Sequence, residues 1–246
     1  MDSLIKKEGL RWLNFIEYTK YDKEELSKEL PSATFIESKK TDTQAFAIIV
    51  NSILVIVFRG TEQKLQDWAT DLNGFHQVYP YANTNSKITV HQGVLKAYHS
   101  IRDQIHEIVK NSYERITTIN CVGHSLGGGL ATLCAVDMQY NFITRNVKCY
   151  TYGALKVGNK AFVESYNRRL PDTYRFYIIR DVVPNLPPYW IELKTKGGYY
   201  HVSKGISLGP NNPFFGLFEF FKKWTSQRIL ADVTNHALSL YRKELT

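Results

Sequence analysis

Ile119-Asn-Cys-Val-Gly-His-Ser-Leu-Gly-Gly128 is the stretch that decides the fold. An apolar run leads into it and a helix-forming segment, Leu126 to Tyr140, leaves it, so Gly-x-Ser-x-Gly falls at a strand-to-helix turn. Such a turn strains the serine backbone so that its hydroxyl projects alone, and only small neighbours fit beside it. Gly123 and Gly127 supply them. The bare pattern arises by chance in about one chain in ten of this length, so its setting carries the weight. The competing reading is a serine N-cap in a glycine-rich turn, and it is weighed against the partners that follow.

Outward from this turn the chain alternates. Thr117 to Gly123, Val147 to Tyr152 and Tyr174 to Ile179 read as strands, and Gly93 to Glu114, Leu126 to Tyr140 and Lys160 to Leu170 as helices. Upstream, Ala45 to Val50 and Ile53 to Phe58 form a hairpin turning at Asn51-Ser52. The N-terminus opens with an amphipathic helix carrying Leu4, Ile5, Trp12, Leu13 and Ile16, and Asp22 to Leu30 reads as a short second one. A last helix is expected from Leu230 to Leu245. Strands alternating with helices predict an α/β fold, a mostly parallel central sheet flanked by helices, in one domain over residues 1–246.

Composition narrows the class. Of 246 residues, 43% are hydrophobic and 22% charged, a globular mixture rather than a disordered or fibrous one. No apolar run approaches the ~20 residues of a transmembrane helix. Met1 to Glu8 carries an early acid and no apolar leader, and three cysteines (Cys121, Cys134, Cys149) cannot all pair, so a cytoplasmic location is expected. Lys plus Arg number 31 against 23 Asp plus Glu, a net charge of +8. The basic pairs are scattered rather than striped, which argues against nucleic acid and leaves a solubilising surface or attraction to anionic lipid.

A serine hydroxyl needs a positioned base, and the base needs an orienting acid. In this strand–turn–helix setting the partners follow in the order serine, acid, histidine. Asp181, just beyond Tyr174 to Arg180, sits at the carboxyl end of a parallel strand, the ligand-binding edge. Asp137 belongs to the far end of the helix after Ser125, and Asp172 to the opposite edge of the sheet. Two histidines follow Asp181. His236, near the start of the last helix, is the choice for the base, and His201, on an expected edge strand, is the alternative. His124, beside Ser125, is expected to point away and be structural. Oxyanion donors are sought in the N–H of Leu126 and in the loop after Val55 to Phe58, where Gly60 permits a sharp exit and Thr61 follows.

With these residues in place the chain resembles the fungal-type (class 3) triacylglycerol lipases of the α/β-hydrolase fold. The matching segments are Phe58-Arg-Gly-Thr61, Asp67-Trp68-Ala-Thr-Asp71-Leu72, His91-Gln-Gly93, Gly123 to Gly128, Asp181-Val-Val-Pro184 with Leu186-Pro187-Pro188, and His236 with Tyr241. The resemblance implies Ser125 as nucleophile, Asp181 as acid, His236 as base, and Thr61 and Leu126 as oxyanion donors, with the Thr61 hydroxyl held by Asp71. It also implies a lid over residues 61–80 with Trp68 near its middle, although the polar composition there reads equally as a fixed surface loop. The secreted members' leader and disulfides are not expected here. Pro213 to Trp224, with Phe214, Phe215 and Phe218, is read as core or an acyl-pocket wall, with insertion into lipid as the other reading.

The expected function is a serine carboxylester hydrolase cleaving lipid acyl esters, acylglycerols first, with no metal or organic cofactor. The alternatives are a phospholipase A1 or galactolipase, or a silent binding member of the fold. The expected partner is a lipid ester, met at a membrane or lipid-droplet surface by peripheral association.

Overall fold

The hairpin over residues 45–58 seeds the central sheet: Asn51 and Ser52 both take positive φ, 48° and 62°, the geometry of a tight two-residue turn whose twist matches the strands it joins. The computed structural model describes residues 2–60, 76–78, 87–187, 198–209 and 236–246. Around the hairpin strands β2 (Thr43–Val50) and β3 (Ile53–Phe58) lie β1 (Thr34–Ser38) on the outer side and β6 (Thr118–His124), β7 (Asn146–Tyr152), β8 (Thr173–Ile178) and β9 (Gly205–Leu208) on the inner side. The seven-stranded order is β1-β2-β3-β6-β7-β8-β9. β1, β2 and β3 pair antiparallel, and every pair from β3 to β9 is parallel. Two short strands, β4 (His76–Val78) and β5 (Thr89–His91), form a separate antiparallel pair.

Parallel strands buried on both faces need covering layers. One face carries α3 (Gln92–Ser112), α4 (Leu126–Asn141) and α5 (Lys160–Arg169), whose Val94, Ile101, Leu130, Leu133, Phe162 and Tyr166 pack with Ile56, Ile119 and Cys121. The other face carries α1 (Ser3–Ile16) and α6 (Leu238–Leu245), whose Trp12, Leu13, Tyr241 and Leu245 pack with Val57, Val122 and Tyr152. Alternate residues of β6 therefore serve opposite layers, as the two-residue period of a strand requires. A short helix α2 (Lys23–Glu29) starts with a capping box between Asp22 and Glu25.

α4 is buried along its length from Leu126 to Met138, and Asp137 near its far end is fully buried. That carboxylate accepts from Tyr98 Oη (2.5 Å), from Arg102 Nε and Nη2 (both 3.0 Å) and from Asn141 Nδ2 (2.8 Å), with His106 Nε2 at 2.6 Å. The cluster clamps α3 to α4, supplying the partners that a buried carboxylate requires. β1 and β9, the two outer strands, were not expected from the sequence. His201, expected on an edge strand, lies in the turn between an isolated bridge at Tyr200 and β9. The last helix, expected from Leu230, runs over Leu238–Leu245 among the described residues. No helix among the described residues is long and apolar enough to cross a membrane.

Candidate active site

β6 ends at His124 and α4 begins at Leu126, leaving Ser125 alone at the turn with φ 59° and ψ −127°. Such values are strained for a non-glycine residue and persist only where surroundings hold them. Here Ser125 N–H donates to the Tyr152 carbonyl at 3.0 Å and its own carbonyl accepts from Gly128 N–H at 3.0 Å. A methyl group at Gly123 would collide with the Gly127 carbonyl, so backbone meets backbone across the turn. At Gly60 a methyl would lie 2.7 Å from the His124 carbonyl oxygen and 3.2 Å from Ser125 Cβ, so the chain leaving β3 passes against the same turn.

Asp181 follows β8 in a turn closed by its N–H to the Ile178 carbonyl, 3.0 Å. It is 2% exposed and its two oxygens are divided. Oδ1 accepts from Val183 N–H at 2.9 Å. Oδ2 accepts from Tyr241 Oη at 2.6 Å and from His236 Nδ1 at 2.7 Å. Donation to a carboxylate places the His236 proton on Nδ1 and leaves Nε2 as the acceptor of the neutral ring. His236 Nε2 and Ser125 Oγ are both buried, and neither has a hydrogen-bond partner. Buried polar atoms left without a partner on the turn serine and on the histidine bonded to Asp181 call for a functional explanation.

The remaining sequence expectations sort as follows. Leu126 is the first residue of α4, so its N–H has no acceptor within the helix and stands at the positive end of the helix dipole. Thr61, Trp68, Asp71, Phe214, Phe215 and Phe218 lie outside the described residues, as does the expected lid segment over 61–80 apart from residues 76–78, which form β4. His201 is not joined to Asp181. Its Nε2 meets the Pro184 carbonyl at 2.5 Å, and burial, with Arg175 and Lys156 nearby, pushes the imidazole down to about 3. Asp137 is committed to the α3–α4 clamp, and Asp172 precedes β8 at the far edge. His91 caps α3, accepting from Gly93 N–H at 3.1 Å.

Three residues beside the site were missed or misread. Tyr241 was matched as a motif residue and given no task, yet its hydroxyl holds Asp181; burial, then the negative charge of Asp181, raises it well above an ordinary phenol. Gly153, at φ 55°, follows β7, and a methyl there would lie 2.7 Å from Asp181 Oδ2 and Tyr241 Oη and 2.9 Å from His236 Cε1. Only glycine leaves room for the acid–histidine pair. His124 was expected to point away from the serine and be structural, with no partner named; its ring lies on His236, centroids 4.3 Å apart. Both had a signal in the sequence: a glycine directly after a central strand, and a residue in phase with Val122. Among the described residues no group of three His, Cys, Asp or Glu side chains could hold a metal ion.

A strained serine at a β-strand–helix turn, over a mostly parallel sheet with an Asp–His pair at its carboxyl edge, defines the α/β-hydrolase class. Comparison with known proteins narrows this: residues 55–190 match the family model of class 3 lipases, and the chain belongs to that family. A lipase of Rhizomucor miehei is 30% identical over 166 residues, covering 65% of this chain and 43% of the relative. A secreted mono- and diacylglycerol lipase of Penicillium cyclopium is 30% identical over 194 residues, covering 74% and 57%. The solved Rhizomucor miehei triacylglyceride lipase superposes with a TM-score of 0.63 at 27% identity, covering 76% of this chain and 70% of that one. The chain spans about half the length of the relatives it matches. The cytoplasmic location expected above is corrected: relatives in Penicillium cyclopium and Malassezia globosa are named as secreted enzymes. Unpaired cysteines were a poor guide, because Cys121, Cys134 and Cys149 are buried in the core, where a thiol packs as a small hydrophobe in any compartment.

Proposed function

We propose that this chain, as a single catalytic domain, is a serine carboxylester hydrolase that cleaves acyl esters of lipids, acylglycerols first. The observation that carries the reading is that Ser125 Oγ and His236 Nε2 are both buried and open while the bond from His236 to Asp181 fixes the imidazole tautomer. In the proposed cycle Ser125 Oγ attacks the ester carbonyl while His236 Nε2 takes its proton. Asp181 stabilises the resulting imidazolium through Nδ1–H. The N–H groups of Leu126 and Thr61 receive the oxyanion, and losing one such donor costs ~10²–10³ in rate. His236 returns the proton to the leaving alcohol, which leaves an acyl ester on Ser125; water, deprotonated by the same imidazole, attacks that ester, and the acid departs as the proton passes back to Ser125 Oγ. Every step uses protein groups and water alone. The substrate meets the enzyme at a lipid surface by peripheral association. Names of relatives that include mono- and diacylglycerol lipases support acylglycerol over phospholipid or galactolipid.

The test is a fluorophosphonate label followed by an ester panel. Wild type is expected to be labelled and to hydrolyse mono- or diacylglycerol, and Ser125→Ala is expected to lose both, with kcat down on the order of 10⁶. No labelling of folded wild type would overturn the reading in favour of a silent binding member; hydrolysis confined to phospholipid or galactolipid would overturn the substrate class.

A further inference from the structure

The sequence phase of β6 sends His124 to the α1–α6 side of the sheet. Asn120, Val122 and His124 share one face of the strand, and Val122 packs in the layer that also holds Tyr152 and Tyr241. There the His124 ring stacks on His236 with centroids 4.3 Å apart and planes 25° from parallel. It also meets the edge of Tyr241, centroids 5.8 Å apart. Its Nε2 bonds the main-chain carbonyl of His236 at 2.8 Å, across 112 positions of sequence. A carbonyl only accepts, so the proton is on His124 Nε2.

We propose that His124 is a positioning residue for the reaction inferred above, holding His236 by both its backbone and its ring plane. The proposal rests on that reading of Ser125, Asp181 and His236. One hydrogen bond, from Nδ1 to Asp181, leaves the base free to swing about the N–H···O axis. That swing would carry Nε2 away from the serine hydroxyl. A face-to-face neighbour blocks the swing, and the bond to the carbonyl fixes the Cα from which the ring hangs. Placement of this kind is worth much in rate, since a displacement of about 1 Å can cost ~10². The arrangement also suits the charge that develops. When His236 becomes imidazolium it faces a neutral aromatic surface, which a cation tolerates and a second cation would not. Burial, then the proximity of His236, keeps His124 well below the usual imidazole range, so it stays the neutral member of the stack.

Three variants separate the two contacts. His124→Phe keeps a stacking ring without the donor, His124→Gln keeps a donor without the ring, and His124→Ala removes both. With acylglycerol substrate, His124→Ala is expected to lose about 10² in kcat while KM stays within about twofold. His124→Phe and His124→Gln should each recover part of that loss, and fluorophosphonate labelling rates should fall in the same order. A His124→Ala enzyme within threefold of wild-type kcat, or a loss confined to KM, overturns the proposal. Should the variants fail to fold, nitrogen-15 NMR of histidine-labelled wild type decides: a neutral His124 protonated on Nε2 at pH 7 supports it, and a charged or Nδ1-protonated ring refutes it. Ser125→Ala run in parallel keeps the two readings apart. An active Ser125→Ala condemns the proposed function, whereas an inert Ser125→Ala beside an unaffected His124→Ala condemns only the role of His124.

Discussion

Tyr241→Phe deletes one oxygen and leaves the ring, so it isolates a single hydrogen bond at the heart of the site. Tyr241 is fully buried, Asp181 is 2% exposed, and the Oη–Oδ2 separation is 2.6 Å. That is the short range of a charge-assisted O–H···O⁻ bond. Hydrogen bonds to charged groups contribute about 1.5–3 kcal/mol net. Equilibrium unfolding in urea should therefore show a loss of about 1.5–3 kcal/mol with an unchanged slope. The activity should respond in a defined direction. Oδ2 keeps His236 Nδ1 and Oδ1 keeps Val183 N–H, so the acid stays in place and kcat should fall about tenfold, far short of the ~10⁴ lost when a triad acid is disabled. An unchanged urea midpoint, or a fall in kcat as large as that of a disabled triad acid, would refute this reasoning.

Two further outcomes are expected away from the reacting atoms. Asp137→Asn removes the charge that Arg102 and His106 face at the α3–α4 clamp, and losing one partner of a buried ion pair typically costs about 3–5 kcal/mol. Urea unfolding should show that loss while labelling of Ser125 per folded molecule stays at the wild-type level; an intact midpoint would mean the clamp is not formed in solution. The second concerns acid. In the folded state His201 is pushed from an ordinary 6.5 down to about 3, so between those values the unfolded chain binds a proton that the folded chain does not. Its stabilising effect is complete above about pH 6.5 and declines as pH falls towards 3. His124, lowered by burial, acts in the same direction. His201→Gln should flatten the decline of stability from pH 6.5 to 4, and an unaltered pH profile would show that His201 titrates normally when folded.

What the sequence disclosed about this site, and what it withheld, follows from the range of the forces involved. The elbow was legible because its requirements are local: Gly123 and Gly127 are fixed by a backbone contact four residues long. Asp181 was legible because a parallel strand delivers its following turn to one edge of the sheet, wherever that strand sits in the order. The outer strands were not legible. Thr34–Ser38 and Gly205–Leu208 are short and half-exposed, and their pairing is paid for by distant neighbours rather than by their own apolar pattern. Asp137 looked like a spare acid because most of the donors that consume it, Tyr98, Arg102 and His106, come from α3, more than thirty residues upstream. The contact of His124 with the base was missed for a subtler reason. Its adjacency to Ser125 suggested divergence from the serine, which the strand geometry does impose, but divergence from the serine does not mean divergence from the base. The layer on its side of the sheet is completed by the C-terminal helix carrying Tyr241, and the same return of the chain brings His236 over the end of β6. Once Val122 and Tyr241 are known to share a layer, the direction of His124 follows from the two-residue period of the strand, and Gly153 follows with it. A glycine at the end of the adjacent strand is what keeps that space open for an imidazole and a carboxylate together.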